Sequence, residues 1–332
     1  MEQIDGLLLN MIQSSFPTVR RPYEALAESI GVKEKDVLNR IEDLRDRGII
    51  RRIGGVFDSR KLGYYSSLFA AKVPENKTTL MADILEKVPG VTHNYLRTHT
   101  YNMWFTLIVS SQNDVDLFLH DIREKSGISE IYSLPYIRMF KIKVDFDFSE
   151  DRGLLNIPQP DRKSVEIASL GPKTTEKLTI LEIELVKRIQ EDLPSGLRPY
   201  DKLADDLRWT EEQVMKEIRR LQAEGIIRRF GAVLNNRKAG FQANAMGVWP
   251  VDENRIEEVG LLMAGFKQIS HCYQRPTMPD WPYNLFTMVH GHTAKECEDI
   301  IREVAYVTGI NEFEILFSTA ELKKTSMKYF LE

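Results

Sequence analysis

The sequence predicts an α+β protein in which one unit occurs twice in tandem, a winged helix-turn-helix followed by a ferredoxin-like βαββαβ domain. Two observations predict this fold class: an internal repeat, and the same order of helical and strand patterns in each half. The composition is that of an ordinary globular protein, with 42% apolar and 28% charged residues. A chain of 332 residues can bury more than one substantial core.

The repeat has an offset of 177 residues over its first two blocks. "RPYEALAESI" from Arg21 aligns with "RPYDKLADDL" from Arg198. "GIIRRIGGVFDSRKLG" from Gly48 aligns with "GIIRRFGAVLNNRKAG" from Gly225, with 10 of 16 positions identical. Further on, "THNYLR" aligns with "SHCYQR", and "YNMWFTL" with "YNLFTM" after the insertion "PTMPDWP". Four matched blocks in the same order indicate a duplication.

Each half is predicted to begin with short amphipathic helices. In "EKDVLNRIEDLRDRG" the apolar residues Val37, Ile41 and Leu44 recur at helical spacing, and Gly48 supplies a C-terminal stop. "IIRRIGGVFD" is predicted to be a β-hairpin, the wing. The ferredoxin-like domain follows as strand, helix, paired strands, helix and final strands: "SSLFAAKV", "TTLMADILEKV", "VTHNYLRTH", "MWFTLIV", "DVDLFLHDIREKSG" and "ISEIYSLPYIRMFKIKVDF".

The stretch between the halves is rich in Pro, Gly and charge, which is typical of a linker. The predicted domains are a winged helix-turn-helix at 1–62, a ferredoxin-like domain at 63–149, a linker at 150–177, and the second copies of the two domains at 178–239 and 240–332.

Composition also excludes several classes of protein. The acidic, amphipathic N-terminus is unlike a secretory or transit peptide, and no apolar run approaches the roughly 20 residues that span a bilayer. Cys272 and Cys297 are the only cysteines, so neither a disulfide framework nor a structural zinc site is expected, and the protein is predicted to be cytoplasmic.

DNA binding is disfavoured although helix-turn-helix units are predicted. The net charge is −4, and the basic and acidic residues of the first predicted recognition helix cancel. The second recognition helix opens with Glu211 and Glu212, whose carboxylates would repel a phosphate backbone. The positive charge lies instead in the two wings, where matched basic residues favour a compact polyanion as ligand: Arg51, Arg52, Arg60, Lys61, Arg228, Arg229, Arg237 and Lys238.

The predicted strand "VTHNYLRTH" has an unusual polar face. Because side chains alternate along a strand, His93, Tyr95, Arg97 and His99 point to one side. His271 occupies the place equivalent to His93, and like His93 it stands two residues before a Tyr and four before an Arg. This pairing in both copies favours a functional role for the two histidines.

Two long segments, "LNRIEDLRDRGIIRR" and "VPGVTHNYLRTHTYNMWFTLIV", resemble the Lrp/AsnC family. "RKLGYYSSLFAAKV", "HNYLRTHTYNMWF" and "HCYQRPTMPDWPYNLFTMVHGH" resemble the sirohaem decarboxylases, an enzymatic branch of that fold. Those enzymes usually have two related subunits, and this chain resembles both fused into an internal pseudo-dimer. The resemblance implies a carboxy-lyase that removes CO2 from two acetate side chains of sirohaem, on the route to d1-type haem or on the alternative route to protohaem. No cofactor is implied, and no metal beyond the iron of the substrate.

The resemblance also implies roles for particular residues. An octacarboxylate requires a flat apolar slot with cations around it. The candidate proton donors are His93, His99 and His271, and either His93 or His271 is a candidate axial ligand of the iron. His120, His290 and His292 rank lower, and "HGH" lacks a third metal ligand nearby in sequence. The candidate substrate-binding residues are Arg52, Arg60, Lys61, Tyr95, Arg97, Arg229, Arg237, Lys238, Tyr273, Arg275 and Trp281.

Two other functions stay open at the level of sequence: a DNA-binding regulator that senses an effector, and a non-catalytic haem-binding sensor. The sequence decides neither whether the pseudo-dimer has one competent pocket or two, nor whether fused chains assemble further.

Overall fold

The computed structural model describes residues 2–142, 148, 166–167 and 178–331. The predicted linker therefore lies outside the described residues, apart from a two-residue strand at 166–167, and so does the end of the predicted strand segment at 143–146. No helix in the described part of the chain has both the length and the apolar character needed to cross a membrane.

Each half begins with three helices. They are α1 (Gln3–Ser14), α2 (Pro22–Ile30) and α3 (Glu34–Asp46) in the first half, and α6 (Ile180–Ile189), α7 (Pro199–Leu207) and α8 (Glu211–Ala223) in the second. Pro22 and Pro199 stand at the first helical position, where a backbone N–H would have no partner within the helix, so its absence in proline costs nothing. The predicted apolar residues of α3 are buried. The helices of both halves share one hydrophobic core, to which Leu8 and Leu185 both belong.

The predicted wing hairpins do not form, and this prediction was wrong. "IIRRIGGVF" is one continuous strand, β1 (Ile50–Phe57), which pairs antiparallel with β8 (Ile227–Leu234) of the other half. Gly54 does not turn the chain; it lies opposite Gly231 within the ribbon. A Cβ at Gly54 would lie 2.5 Å from the carbonyl oxygens of Ile189 and Glu191, so glycine is needed there for close approach to the end of α6.

Adding a methyl group at this position should destabilise the protein. G54A is expected to lower the free energy of unfolding by about 1–3 kcal/mol, because backbone oxygens must move to admit the Cβ. Chemical denaturation measures the loss. G55A is the matched control, since its Cβ meets ring atoms of Phe57, a side chain that can turn, and its loss should be smaller. Equal stability of G54A and wild type would contradict the close approach.

The ferredoxin-like elements follow in the predicted order. The first half contains β2 (Tyr65–Ala71), α4 (Thr78–Glu86), β3 (Val91–Arg97), β4 (Met103–Val109), α5 (Gln112–Ser126), β5 (Ile131–Leu134) and β6 (Arg138–Ile142), followed by the short β7 (Glu166–Ile167). The second half contains β9 (Ala243–Trp249), α9 (Ile256–Gly265), β10 (Ile269–Gln274), β11 (Leu285–Gly291), α10 (Ala294–Thr308) and β12 (Glu314–Lys324).

The two halves exchange their last strands. The described strands outside the β1–β8 ribbon form one sheet in the order β5-β2-β4-β3-β12-β9-β11-β10-β6-β7. The first part of β12 pairs with β9 of its own half, and the part from Ser318 onwards pairs with β3 of the first half. In the opposite direction, β6 of the first half pairs with β10. The halves are thus joined as an internal pseudo-dimer.

The sheet curves back on itself. Only residues 135–137 separate β5 from β6, although these strands occupy distant places in the sheet order. So short a connection spans at most about 14 Å. A hydrophobic cluster that includes Trp104 and Leu134 of the first half and Met246 and Phe286 of the second packs residues of both halves together. This curvature places β3 and β10 around one shared interior space.

Candidate active site

A cavity of about 490 Å³ lies between the two halves. It is bounded by inward-facing residues of both ferredoxin-like domains, by the β1–β8 ribbon and by the segment after β12. β3 contributes His93, Tyr95 and Arg97, and β10 with the residue after it contributes His271, Tyr273 and Arg275. The polar strand faces singled out in the sequence therefore face one common space, and both paired histidines belong to it.

Much of the remaining wall is aromatic or apolar. Trp104 and Phe286 occupy matching positions on β4 and β11, opposite Tyr95 and Tyr273 respectively. The Arg275 guanidinium lies 4.7 Å from the centre of the Tyr273 ring. Flat side chains with cations beside them suit a flat, polyanionic ligand.

The cavity is strongly cationic. Among its described lining residues there is no Asp or Glu. Eight lining residues carry a positive charge: Arg51, Arg52, Arg60, Arg97, Arg228, Arg229, Arg275 and Lys324.

Three of these arginines are buried against neutral oxygens rather than carboxylates. Arg52 donates to the Gly55 carbonyl at 3.1 Å, and Arg97 to the Leu316 carbonyl at 2.9 Å. Arg275 donates to the carbonyl of Leu134. The Nε atom of each of the three has no hydrogen-bond partner among the described residues. Burial lowers the pKa of each guanidinium to about 10. Buried cations in this state are stabilised by an anionic ligand.

The remaining cations are held in different ways. Arg228 pairs with the buried Asp58 at 2.7 Å, and Lys324 lies 3.7 Å from Glu321. Arg60 stacks on Tyr136 at 3.4 Å from the ring centre. The cavity thus combines cations that have protein partners with cations whose charge a ligand would balance.

The imidazoles of His93 and His271 are held in the same way in the two halves. Nδ1 of His93 lies 3.0 Å from the hydroxyl of Thr92, and Nδ1 of His271 lies 2.8 Å from the hydroxyl of Ser270. These contacts leave Nε2 of each ring as the nitrogen that can reach a ligand. The Thr/Ser-His pair is visible in the aligned "THNYLR" and "SHCYQR", so the repeat carried this signal.

A third histidine, His290, also lines the cavity. Its Nε2 lies 3.0 Å from the same Ser270 hydroxyl. From the sequence, His290 ranks below the paired histidines because it lies with His292 near a strand end. Its aligned residue in the first half is the apolar Ile108. Strand alternation could have identified His290. Phe286 and Met288 lie opposite Tyr273 and His271 on β10, and His290, two residues further along β11, lies on the same face of the sheet.

Burial keeps all three imidazoles neutral in the ligand-free protein. It lowers the pKa of His93 to about 4, with smaller effects from Lys324 and Arg51. It lowers the pKa of His271 to about 3, where His290 and His93 add repulsion, and that of His290 to about 4. A proton donor that works near neutral pH therefore needs an anionic ligand beside it, which restores the pKa towards its usual value.

These pKa values predict how stability depends on pH. The folded-state pKa of His93 and His290, about 4, lies below the unfolded value of about 6.5. Between about pH 4 and pH 6.5 the unfolded chain therefore binds more protons than the folded protein. The free energy of unfolding should therefore fall as the pH falls from about 6.5 towards 4. Urea denaturation of wild type and of H290Q at pH 7 and pH 4.5 measures this, and H290Q should lose less. An equal loss in both proteins would contradict the buried, neutral state of His290.

Several predicted site residues do not line the cavity. Lys61 donates to the Glu224 carbonyl across the pseudo-dimer, and Nζ of Lys238 lies beside Gly48, 2.5 Å from the place a Cβ would take there. Arg237 is also outside the lining. Trp281 is 1% exposed and packs behind the cavity wall, with its ring centre 5.4 Å from that of Trp104.

His99 also lies outside the lining. Its Nε2 is 3.1 Å from Glu314, and its Nδ1 accepts the Tyr101 N–H at 3.0 Å. Within the described residues no group of three His, Cys, Asp or Glu side chains could hold a metal ion.

Comparison with known proteins agrees with this architecture. A family model described as "AsnC-like ligand binding domain" matches residues 61–141 and 238–323, and one described as "Siroheme decarboxylase NirDL-like HTH domain" matches 5–51 and 182–228. The protein named "Siroheme decarboxylase" from Hydrogenobacter thermophilus is 37% identical over 98% of this chain and 94% of its own length.

A shorter relative and a solved structure complete the comparison. The "Siroheme decarboxylase alpha subunit" of Desulfovibrio desulfuricans is 45% identical over 46% of this chain and 87% of its own length, so a single subunit corresponds to about one half. The crystal structure of the siroheme decarboxylase NirDL in complex with an iron-uroporphyrin III analogue is 35% identical, with a TM-score of 0.70 over 100% of this chain and 95% of that one. On this likeness over its whole length, the chain belongs to the siroheme decarboxylase family.

Proposed function

We propose that this chain is a carboxy-lyase that binds sirohaem in the cavity between its halves and removes CO2 from two acetate side chains. The observation that carries the proposal is the cavity itself: eight cations, no carboxylate among its described lining residues, and three imidazoles. A polycarboxylate macrocycle would bring carboxylates to the buried guanidinium groups of Arg52, Arg97 and Arg275, whose Nε atoms have no hydrogen-bond partner among the described residues. Its flat ring matches the aromatic walls.

The imidazoles complete the chemistry of the proposed reaction. When the bond between an acetate methylene and its carboxyl carbon breaks, the electron pair stays with the methylene and is delocalised into the macrocycle. A proton from Nε2 of His93 or His271 then converts the methylene to a methyl group, and the imidazole regains a proton from water. The carboxylates of the bound substrate raise the pKa of these rings, so that protonation becomes available near neutral pH.

The other roles predicted from sequence enter the proposal as follows. The proposed reaction needs no cofactor. As an alternative to proton delivery, one of His93 and His271 ligates the iron of the substrate through Nε2. The proposed domain boundaries are those given in the sequence analysis. Both cysteines are free and buried, which supports a reducing, cytoplasmic location.

DNA regulation is the weaker candidate. At the start of the second recognition helix, Glu211 is 7% exposed and accepts from Arg198 at 2.6 Å. Its carboxylate is thus part of the helix-turn-helix interior. The first recognition helix, α3, also starts with a carboxylate, that of Glu34, which pairs with Arg21. At the start of α3 the charges of Lys33 and Lys35 are matched by those of Glu34 and Asp36, so neither helix end offers a net positive charge to a phosphate backbone.

Anaerobic incubation of the purified protein with sirohaem, followed by mass spectrometry, tests the proposal. We expect the loss of two carboxyl groups from each sirohaem. Sirohaem that binds and stays unchanged would favour a haem-binding sensor, and a protein that binds no sirohaem but binds duplex DNA would favour the regulator.

A further inference from the structure

The Ser270 hydroxyl occupies an unusual position, between two imidazoles and a backbone carbonyl. Its oxygen lies 2.8 Å from Nδ1 of His271, 3.0 Å from Nε2 of His290 and 3.2 Å from the carbonyl oxygen of Met288. Ser270 is 5% exposed, so water does not compete freely for these contacts.

A count of donors limits how these four groups share their protons. A serine hydroxyl donates one hydrogen bond and accepts two. The carbonyl of Met288 can only accept, so it takes the single serine proton. Both imidazoles must then donate to the serine oxygen, His271 through Nδ1–H and His290 through Nε2–H. In this arrangement every hydrogen-bonding site of the hydroxyl is used.

The first half has no equivalent arrangement. Thr92 takes the place of Ser270 and contacts Nδ1 of His93 at 3.0 Å, but Ile108 stands where the second half has His290. The Thr92 hydroxyl therefore contacts one imidazole, that of His93, whereas the Ser270 hydroxyl contacts two. The pseudo-symmetry of the cavity is broken at this point.

We propose that Ser270 is a positioning residue that ties His290 to His271 and holds neutral His271 in its Nδ1–H tautomer. Nε2 of His271 then carries no proton in the ligand-free protein and faces the cavity as the atom that takes up a proton and gives it to the substrate. When Nε2 gains a proton, the positive charge is shared by both ring nitrogens. The hydrogen bond from Nδ1–H to the serine oxygen then stabilises the charged ring. The kinetic part of this inference rests on the proposed decarboxylase function; the tautomer does not.

The charged and titratable groups that face these two rings are all basic. His271 is faced by His93 on β3, Arg228 on β8 and Arg275 after β10. His290 is faced by Lys324 on β12 and Arg97 on β3. Each of these is a cation or an imidazole, so no carboxylate among them fixes a tautomer by accepting an N–H.

The direct test is ¹H–¹⁵N NMR of the histidine side chains in the ligand-free protein at pH 7, where the rings are neutral. In wild type, His271 should show the Nδ1–H tautomer and His290 the Nε2–H tautomer. S270A should shift His271 towards the Nε2–H form, and S270T, which keeps a hydroxyl as Thr92 does, should restore Nδ1–H. Wild-type His271 in the Nε2–H form, or an S270A spectrum unchanged from wild type, would overturn the inference whether or not the protein turns over sirohaem.

The pH profile of kcat with sirohaem provides the functional readout. S270A is expected to lower kcat by about tenfold and to move the acidic limb of the profile, as expected for an acid–base group held in the wrong tautomer. T92A removes a hydroxyl with one imidazole neighbour and should move the acidic limb less than S270A does. The control is S29A on α2, outside the cavity lining, which should leave the limb in place. A larger shift in T92A than in S270A would place the coupled proton donor in the first half and contradict the inference. If wild type itself releases no CO2, the decarboxylase proposal fails while the NMR result still decides the tautomer.

Discussion

Replacing His271 with alanine should lower kcat for CO2 release by tenfold or more and leave the protein folded. His271 lines the cavity on β10, and its Nε2 is the ring nitrogen left for a ligand. Loss of a positioned acid–base group costs typically 10²–10⁴-fold, and tenfold is the lower limit expected here because His93 and His290 share the cavity. Steady-state turnover of sirohaem, with thermal unfolding of the same sample, measures both quantities.

His93→Ala is the companion variant, and His120→Ala is the control. His93 holds the equivalent place on β3, so a similar loss is expected if both halves deliver protons, and a smaller one if the second half does most of the work. His120 lies exposed on α5, 3.6 Å from Glu124, and its replacement should leave turnover at the wild-type level. Wild-type rates in both H93A and H271A would rule out imidazole proton delivery.

Replacing Arg52 with methionine should weaken sirohaem binding about tenfold or more, without destabilising the ligand-free protein. The guanidinium is buried, and its Nε and Nη1 have no hydrogen-bond partner among the described residues. A hydrogen bond between charged groups contributes about 1.5–3 kcal/mol, so its loss should be plain in an optical titration. In the empty cavity the same cation is a cost, because burial and Arg229 both disfavour its charge. The free energy of unfolding should therefore equal or exceed that of wild type.

Arg228→Met provides the contrast in stability. Arg228 pairs with Asp58 at 2.7 Å, and Asp58 is 3% exposed. Removal of one partner leaves a buried carboxylate uncompensated, at a cost of roughly 3–5 kcal/mol. Arg302→Met on α10, whose arginine forms an exposed pair with Glu298, should change neither binding nor stability by much. If R52M destabilised the ligand-free protein as much as R228M does, Arg52 would have a structural role rather than one in binding.

The repeat made most of the fold predictable. Two aligned copies indicated the order of the elements in each half. The polar face of the strand after "VPG" pointed to His93, Tyr95 and Arg97 together with their counterparts in the second half. All six line the cavity. Alternation along a strand is a local property, so it could be recognised without knowledge of how the halves meet.

The relation between the halves could not be predicted in this way. "IGGVF" has the glycine pair of a tight turn, but Gly54 serves the close approach of another backbone. In the same way, the second part of β12 crosses to β3, which brings Lys324 into the cavity. Both arrangements depend on contacts between residues far apart in the chain, and no local pattern encodes them.

Residues that break the repeat were the hardest to rank. His290 ranks low on sequence and Ile108 takes its place in the first half, yet it faces the same cavity as His271. Conversely, Lys61 and Lys238 are matched in both copies but lie outside the cavity lining: Lys61 donates to the Glu224 carbonyl at the end of α8, and Lys238 lies beside Gly48 just after α3. Agreement between the copies thus identifies what both halves need for folding as well as what they need for chemistry.

A crystal structure of the H271A variant, grown anaerobically with sirohaem, tests the central claim most directly. We expect the macrocycle in the cavity between β3 and β10, with carboxylates on Arg52, Arg97 and Arg275 and an acetate side chain near His93 or near the space vacated by the His271 ring. Sirohaem bound on the helix-turn-helix surface or outside the sheet, with this cavity empty, would contradict the claim that the two halves enclose the decarboxylation site.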